Sequence, residues 1–344
     1  MASINSGVGK TVLVTGGSGY VAAEVLNSFL IRGYNVKTTV RNEASAEKIK
    51  KSHAKYLDQL SFAIVKDLQL PGGHDEAVKG VDGVIHTASP FVLQVEDNAR
   101  DLLEPAVNGT LEVLKSVQKN NPAVKRVVIT SSFAAIIDIF QGPRPGYTYT
   151  EKDWNPTTYD VAANPSTPGG VSYCASKSFA EKAAFDYVAE HNPNFTITAL
   201  NPPMVYGPSS VLFPGFDKLN TSSADIYRLI NGTSSSVPET SFFGFVDVRD
   251  LAEAHVRAYE SEDAAGQRYI TCSGGYTYQQ ICDVIRAEFP GKRDVVPEGN
   301  VGEKYPDVYV VDNGKIRREL GMEFRSLKTC VVDMVEQFIE YEKA

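Results

Sequence analysis

From residue 11 onward, short runs of β-branched and aliphatic residues alternate with longer stretches in which apolar positions recur every three or four residues. Residues 11–15, 35–40, 61–65, 83–87, 125–130 and 195–200 read as strands, with helix-length segments between them. Runs such as VLV, VIHT and RVVIT show almost no polar alternation, so both faces of these strands are expected to be covered. Strands of this kind separated by helices build a parallel sheet. The pattern therefore predicts an α/β fold, a doubly wound parallel sheet of Rossmann type with a smaller C-terminal substrate lobe.

The rhythm fails after residue 203. Pro202, Pro203, Gly207, Pro208, Pro214 and Gly215 punctuate a Ser/Thr-rich stretch that runs to about residue 240. A strand at 243–246 and an amphipathic helix at 251–260 then look like a return to the first domain, followed by a strand at 268–272 and helices at 278–289 and 327–342. We expect a dinucleotide-binding domain at 1–203, rejoined at about 241–272, and a substrate-binding lobe made of 204–240 and 273–344.

Composition narrows the partners. The 344 residues carry 34 Lys+Arg against 42 Asp+Glu, a net charge of −8 spread along the chain, which argues against a nucleic-acid surface. The longest apolar run, 133–140, is broken by Asp138 and falls far short of the ~18 residues a membrane span needs. Cys174, Cys272, Cys282 and Cys330 show no CxxC spacing and no secretory leader stands ahead of them, so a reducing cytoplasm is expected. The five histidines lie far apart, and no metal site is expected. The partner is then a small molecule, bound by a monomer or homodimer.

The sharpest local signal is Thr15-Gly16-Gly17-Ser18-Gly19-Tyr20-Val21-Ala22, which follows the first strand and opens the first helix. Gly16 permits a tight turn, Gly19 lets a phosphate approach the backbone, and Ala22 lets the helix pack on its strand, while free N–H groups at Tyr20 and Val21 face a pyrophosphate. Gly7-Val8-Gly9-Lys10-Thr11 is not a P-loop, because Ile4 stands where glycine is required and the segment precedes the strand. After the second strand comes Arg41, where an NAD-specific site usually has an acid. A guanidinium there suits a 2′-phosphate, with Lys48 as a second charge, so NADPH is expected over NADH. Each cation is otherwise an ordinary solvated helix-start residue.

Tyr173 and Lys177 share one helix face at i, i+4. An ammonium one turn away, joined through a ribose hydroxyl, would favour the ionised form of the phenol and make it usable in acid/base work. Ser132 follows the strand at 125–130, at the sheet edge that faces the ligand crevice, where its hydroxyl is placed to orient a carbonyl oxygen.

The ordered motifs TGGSGYVA, Asp67-Leu68, HTASPF at 86–91, DLLEPAVNGT at 101–110, VKRVVITSS at 124–132, YCASK at 173–177, NPPMVYGP at 201–208 and FVDVRDLAEAH at 245–255 cover nearly the whole chain. Together they resemble the extended short-chain dehydrogenase/reductase family, its dihydroflavonol-reductase-like branch, and most of all the fungal NADPH-dependent methylglyoxal and aldehyde (carbonyl) reductases. The resemblance implies catalytic Ser132, Tyr173 and Lys177. It places the pyrophosphate at Gly16, Gly19 and Ala22, the 2′-phosphate at Arg41 and Lys48, and the adenine at Asp67 and Leu68. Ala88 and Ser89 pass the nicotinamide ribose, and Pro202 lies beside the ring. Asn108 matches a family Asn of structural or proton-relaying role. Phe91, Phe133 and Met204 adjoin these segments and are candidate substrate-pocket residues, or equally members of the core.

The expected activity is reduction of methylglyoxal, aliphatic aldehydes, prochiral ketones or keto esters by hydride transfer, with Tyr173 as proton donor. Two alternatives share the fold: a nucleotide-sugar epimerase or dehydratase, against which Arg41 argues, and a non-catalytic NADP(H)-binding sensor, against which Tyr173 and Lys177 argue.

Overall fold

The computed structural model describes residues 6–89, 95–211 and 215–343. Its main sheet has seven strands, numbered here among themselves: β1 (Thr11–Thr15), β2 (Asn35–Val40), β3 (Leu60–Ile64), β4 (Gly83–His86), β5 (Arg126–Thr130), β6 (Thr196–Asn201) and β7 (Arg268–Ile270). All neighbours pair in parallel, in the order β3-β2-β1-β4-β5-β6-β7. Strand order reverses between β1 and β4, and it is outside the carboxyl ends at such a point that α/β sheets bind ligands.

The longer helices are α1 (Tyr20–Ile31), α2 (Glu43–Ser52), α3 (Glu104–Asn120), α4 (Gly169–His191), α5 (Thr221–Ile230), α6 (Val248–Glu260), α7 (Tyr278–Glu288) and α8 (Leu327–Lys343). Alternate residues of a strand point to opposite faces, and both faces are apolar here. Val12, Val14, Ile85, Val128 and Leu200 pack beneath α1 and α6. Leu13, Val84, Val127, Ile129 and Ile197 pack beneath α3 and α4. This two-sided burial is why the strand sequences lack polar alternation.

A second core gathers Tyr206, residues of α5 (Ile226, Leu229), Phe245, and residues of α7 (Ile281, Ile285) and α8 (Val331, Met334, Phe338). Beside it, Met204–Tyr206 pairs in parallel with Phe245–Asp247. Residues 308–322, grouped with the lobe on sequence, pack elsewhere. Val310 and Val311 pair with Thr148 and Tyr149, which brings Val308 and Tyr309 against Phe133 and Tyr149, and Ile316, Leu320 and Met322 against the α1/α6 layer.

All four cysteines are buried and free. Among the described residues no helix is long and apolar enough to cross a membrane, and no cluster of His, Cys, Asp and Glu could hold a metal ion.

Gly83 opens β4 beneath α6, and a Cβ there would lie 2.1 Å from the ring of Tyr259. Gly83→Ala should lower stability by about 1–3 kcal/mol through overpacking, measured as a fall in the urea midpoint at constant slope.

Candidate active site

The glycine turn is shaped by close approach. Gly16 sits at φ +71°, and a Cβ on it would lie 3.0 Å from that of Ala88; one on Gly17 would meet Thr38 Oγ1 at 2.1 Å. Gly16 N–H donates to Thr39 Oγ1 at 2.8 Å and Gly17 N–H to the Thr39 carbonyl at 3.1 Å, which locks the turn to β2. Gly19 precedes α1 with no side chain to cap it, and the first turn holds no acid. The N–H groups at the start of α1, including those of Tyr20 and Val21, therefore suit an anion. The Tyr20 side chain leaves the turn, its hydroxyl donating to the Gly207 carbonyl at 2.7 Å. Thr15, which sequence reasoning passed over as one more β-branched strand residue, is fully buried and accepts from Thr87 N–H (3.1 Å) and Ala88 N–H (3.0 Å), so it fixes the backbone beside Gly16.

Arg41 follows β2 directly and Lys48 lies on α2; both are exposed and neither forms an ion pair among the described residues. Asn42 caps α2, its side chain accepting from Ser45 N–H at 2.9 Å, so the helix that carries Lys48 starts next to Arg41. Asp67 lies on the loop after β3 and its carboxylate accepts from Gln69 N–H at 2.9 Å, while Leu68 is half-buried against the α3 layer.

The three candidate catalytic side chains meet at the carboxyl ends of β4 and β5. Ser132 follows β5 and its Oγ accepts from Ala134 N–H at 3.1 Å. Tyr173 comes from the start of α4, and its hydroxyl has Ser132 beside it, near enough to act on its ionisation. Lys177, 8% exposed, donates from Nζ to Ser89 Oγ at 2.6 Å and lies 5.4 Å from the centre of the Tyr173 ring. Ser132, Ser89, Tyr173 and Lys177 thus form one constellation over the β4–β5 edge.

In the protein alone, burial governs the electrostatics of this pair. Burial, with Cys174 beside it, raises the Tyr173 phenol above its ordinary value, and Ser132 lowers it only in part. Burial pushes the Lys177 ammonium down to about 8. Withdrawal from water favours the neutral form of each group, so in the protein alone Tyr173 is a phenol near neutrality.

The other candidates divide. Pro202 is buried, and its carbonyl accepts from Phe133 N–H at 2.8 Å, placing it alongside the Ser132 loop. Met204 is half-buried against the second core. Phe133, a candidate for the pocket or equally for the core, has no exposed surface. Its ring is enclosed by Tyr149, at 5.5 Å between centroids, and Tyr309, at 6.0 Å, so it offers a ligand nothing to touch. Asn108 is exposed on α3. Phe91 lies outside the described residues.

Residues 12–271 match the model of the NAD dependent epimerase/dehydratase family. The chain belongs to that family. It is 38% identical over 338 residues to the ketoreductase azaE of Aspergillus niger, covering 96% of this chain and 98% of the relative. It is 34% identical over 348 residues to the NADPH-dependent methylglyoxal reductase GRE2 of Saccharomyces cerevisiae, covering 96% and 99%. Among solved structures, yeast methylglyoxal/isovaleraldehyde reductase Gre2 complexed with NADPH superposes with a TM-score of 0.89 at 33% identity, covering 97% of this chain and 99% of that one. The family resemblance read from the motifs and the doubly wound fold both hold.

The depressed value of Lys177 has a consequence for stability. Between about pH 8 and its ordinary value near 10.5 the unfolded chain holds a proton that the folded chain has lost. Stability due to this group therefore rises with pH across that window. Urea denaturation of the wild type and Lys177→Met from pH 7 to 10 should show this rise, of roughly 3 kcal/mol in full, as a difference that Lys177→Met lacks; parallel pH profiles would refute it.

Proposed function

We propose that the protein is a cytoplasmic NADPH-dependent carbonyl reductase that converts methylglyoxal, aliphatic aldehydes, prochiral ketones or keto esters to alcohols. The convergence of Ser132, Tyr173 and Lys177 beside the glycine turn carries this reading. The names of its relatives, a ketoreductase and an NADPH-dependent methylglyoxal reductase, support it.

The residues present fit NADPH. The Gly16–Ala88 approach leaves bare backbone at the turn, and the uncapped start of α1 suits a pyrophosphate. Gly16, Gly19, Tyr20 and Val21 would hold that group, Arg41 and Lys48 the 2′-phosphate, and Asp67 and Leu68 the adenine. Ala88, Ser89, Tyr173 and Lys177 would take the nicotinamide ribose, and Pro202 would flank the ring. When bound, NADPH supplies the hydride that adds to the carbonyl carbon.

The protein's own residues handle the oxygen. Ser132 donates a hydrogen bond to it, and Tyr173, kept protonated by burial, delivers the proton that completes the alcohol. Lys177 stabilises the charge left on Tyr173 as the proton departs. Met204, and Phe91 beyond the described residues, remain candidates for the pocket wall.

The test is NADPH depletion with methylglyoxal, an aliphatic aldehyde and a β-keto ester, with analysis of the alcohols. Turnover of a nucleotide sugar without net cofactor consumption, or tight NADPH binding with no oxidation across the panel, would overturn the reading. Tyr173→Phe should cut turnover at least ~100-fold with NADPH affinity nearly intact; a parallel loss of binding would contradict the proton-donor role. Arg41→Asp should shift preference from NADPH toward NADH, and an unchanged ratio of the two kcat/KM values would remove the 2′-phosphate assignment.

A further inference from the structure

Behind the constellation lies a buried polar network that the mechanism above does not use. Glu181 stands one helical turn beyond Lys177 on α4 and is 3% exposed. Its Oε2 accepts from the Ser131 hydroxyl and, at 2.7 Å, from Asn201 Nδ2. The same Nδ2 donates to the carbonyl of Ser132 at 3.1 Å. The other carboxylate oxygen accepts from Arg268 Nε at 2.5 Å. That guanidinium also donates to the carbonyls of Glu151 (2.6 Å) and Asp153 (2.9 Å) and lies 3.5 Å over the ring of Trp154. One carboxylate thus links α4, the loop after β5, the end of β6 and β7.

Burying an ion pair is a poor route to stability, since well-packed apolar residues often serve as well. What the network does supply is orientation. It grips the Ser131 hydroxyl and the Ser132 carbonyl, on the two sides of the Ser132 side chain, and it does so from the helix that carries Tyr173 and Lys177.

We propose that Glu181 and Asn201 are positioning residues: with Arg268 fixing the carboxylate, they hold the Ser131–Ser132 backbone so that the Ser132 hydroxyl meets the Tyr173 oxygen. The proposal rests on the reductase reading, because that reading gives the Ser132–Tyr173 pair its task. Among the described residues, Ser132 from the β5 loop and Cys174 and Lys177 from its own helix bear on Tyr173. Of these three, Ser132 is the one whose own residue the network holds.

The test compares Ser131→Ala and Asn201→Ala with the wild type, and Ser131→Thr, which keeps the hydroxyl, as the conservative control. Two quantities are read: kcat for carbonyl reduction at saturating NADPH, and the ionisation midpoint of Tyr173 in the cofactor-free protein. The midpoint is followed by ¹⁹F NMR after 3-fluorotyrosine labelling, with the signal assigned by its loss in Tyr173→Phe. Both alanine variants should lose about 10- to 100-fold in kcat with KM for NADPH unchanged, and the Tyr173 midpoint should move upward as Ser132 drifts from it. Ser131→Thr should restore both. Should Asn201→Ala fail to fold, Ser131→Ala, which deletes a single hydroxyl, decides the matter. An unchanged midpoint, whatever happens to kcat or Tm, overturns the proposal. If the wild type reduces no carbonyl compound, the reductase reading falls while the titration still decides this one.

Discussion

The site depends on the approach of β1 to β4 at their carboxyl ends, where a Cβ on Gly16 would lie 3.0 Å from that of Ala88 and the neighbour would have to give way. That contact brings the segment after β4 close across the glycine turn. The same segment offers Ser89 to Lys177 of α4. A parallel sheet leaves its strand ends open toward one side, and here that opening is lined by the glycine turn on one flank and by Ser132 and Tyr173 on the other.

Desolvation then sets the chemistry of the groups gathered there. A phenol and an ammonium taken out of water both move toward their neutral forms, and the shifts of Tyr173 and Lys177 run in those directions. A neutral phenol next to a weakened ammonium is suited to giving up a proton when negative charge grows on a nearby oxygen. The arrangement thus favours addition of a proton over its removal in the resting protein, in keeping with a reductive direction.

Much of this was legible in the residues. The span Asn35–Val40 matches β2 residue for residue because β-branched residues end abruptly at Arg41 and Asn42, and Asn42 is a strong helix cap. The motif order placed Ser132 and Tyr173 together because each sits at a position the strand-and-helix rhythm directs toward one edge. What was not legible depends on contacts between distant segments. Phe133 adjoins Ser132, and the sequence leaves pocket wall and core equally open for it; its ring is enclosed by Tyr149 and Tyr309. Residues 308–322 carry no periodicity that distinguishes one core from another, and only the pairing with Thr148 and Tyr149 assigns them. Glu181 and Arg268 belong to none of the sequence motifs, and only the fold brings them, 87 positions apart, into one ion pair. The depth of burial around Tyr173 is likewise invisible in the sequence, where only the i, i+4 ammonium of Lys177 can be read.

The chain passes back and forth between its two cores, leaving the sheet after β6, returning with α6 and β7, departing again with α7 and coming back once more through residues 308–322 before α8. Neither half is a contiguous fragment. Exchange of substrate preference between relatives by a single crossover would therefore cut through both hydrophobic interiors at once, and productive chimeras require several discontinuous pieces moved together, the short strand at Val310–Val311 among those that must stay with the sheet.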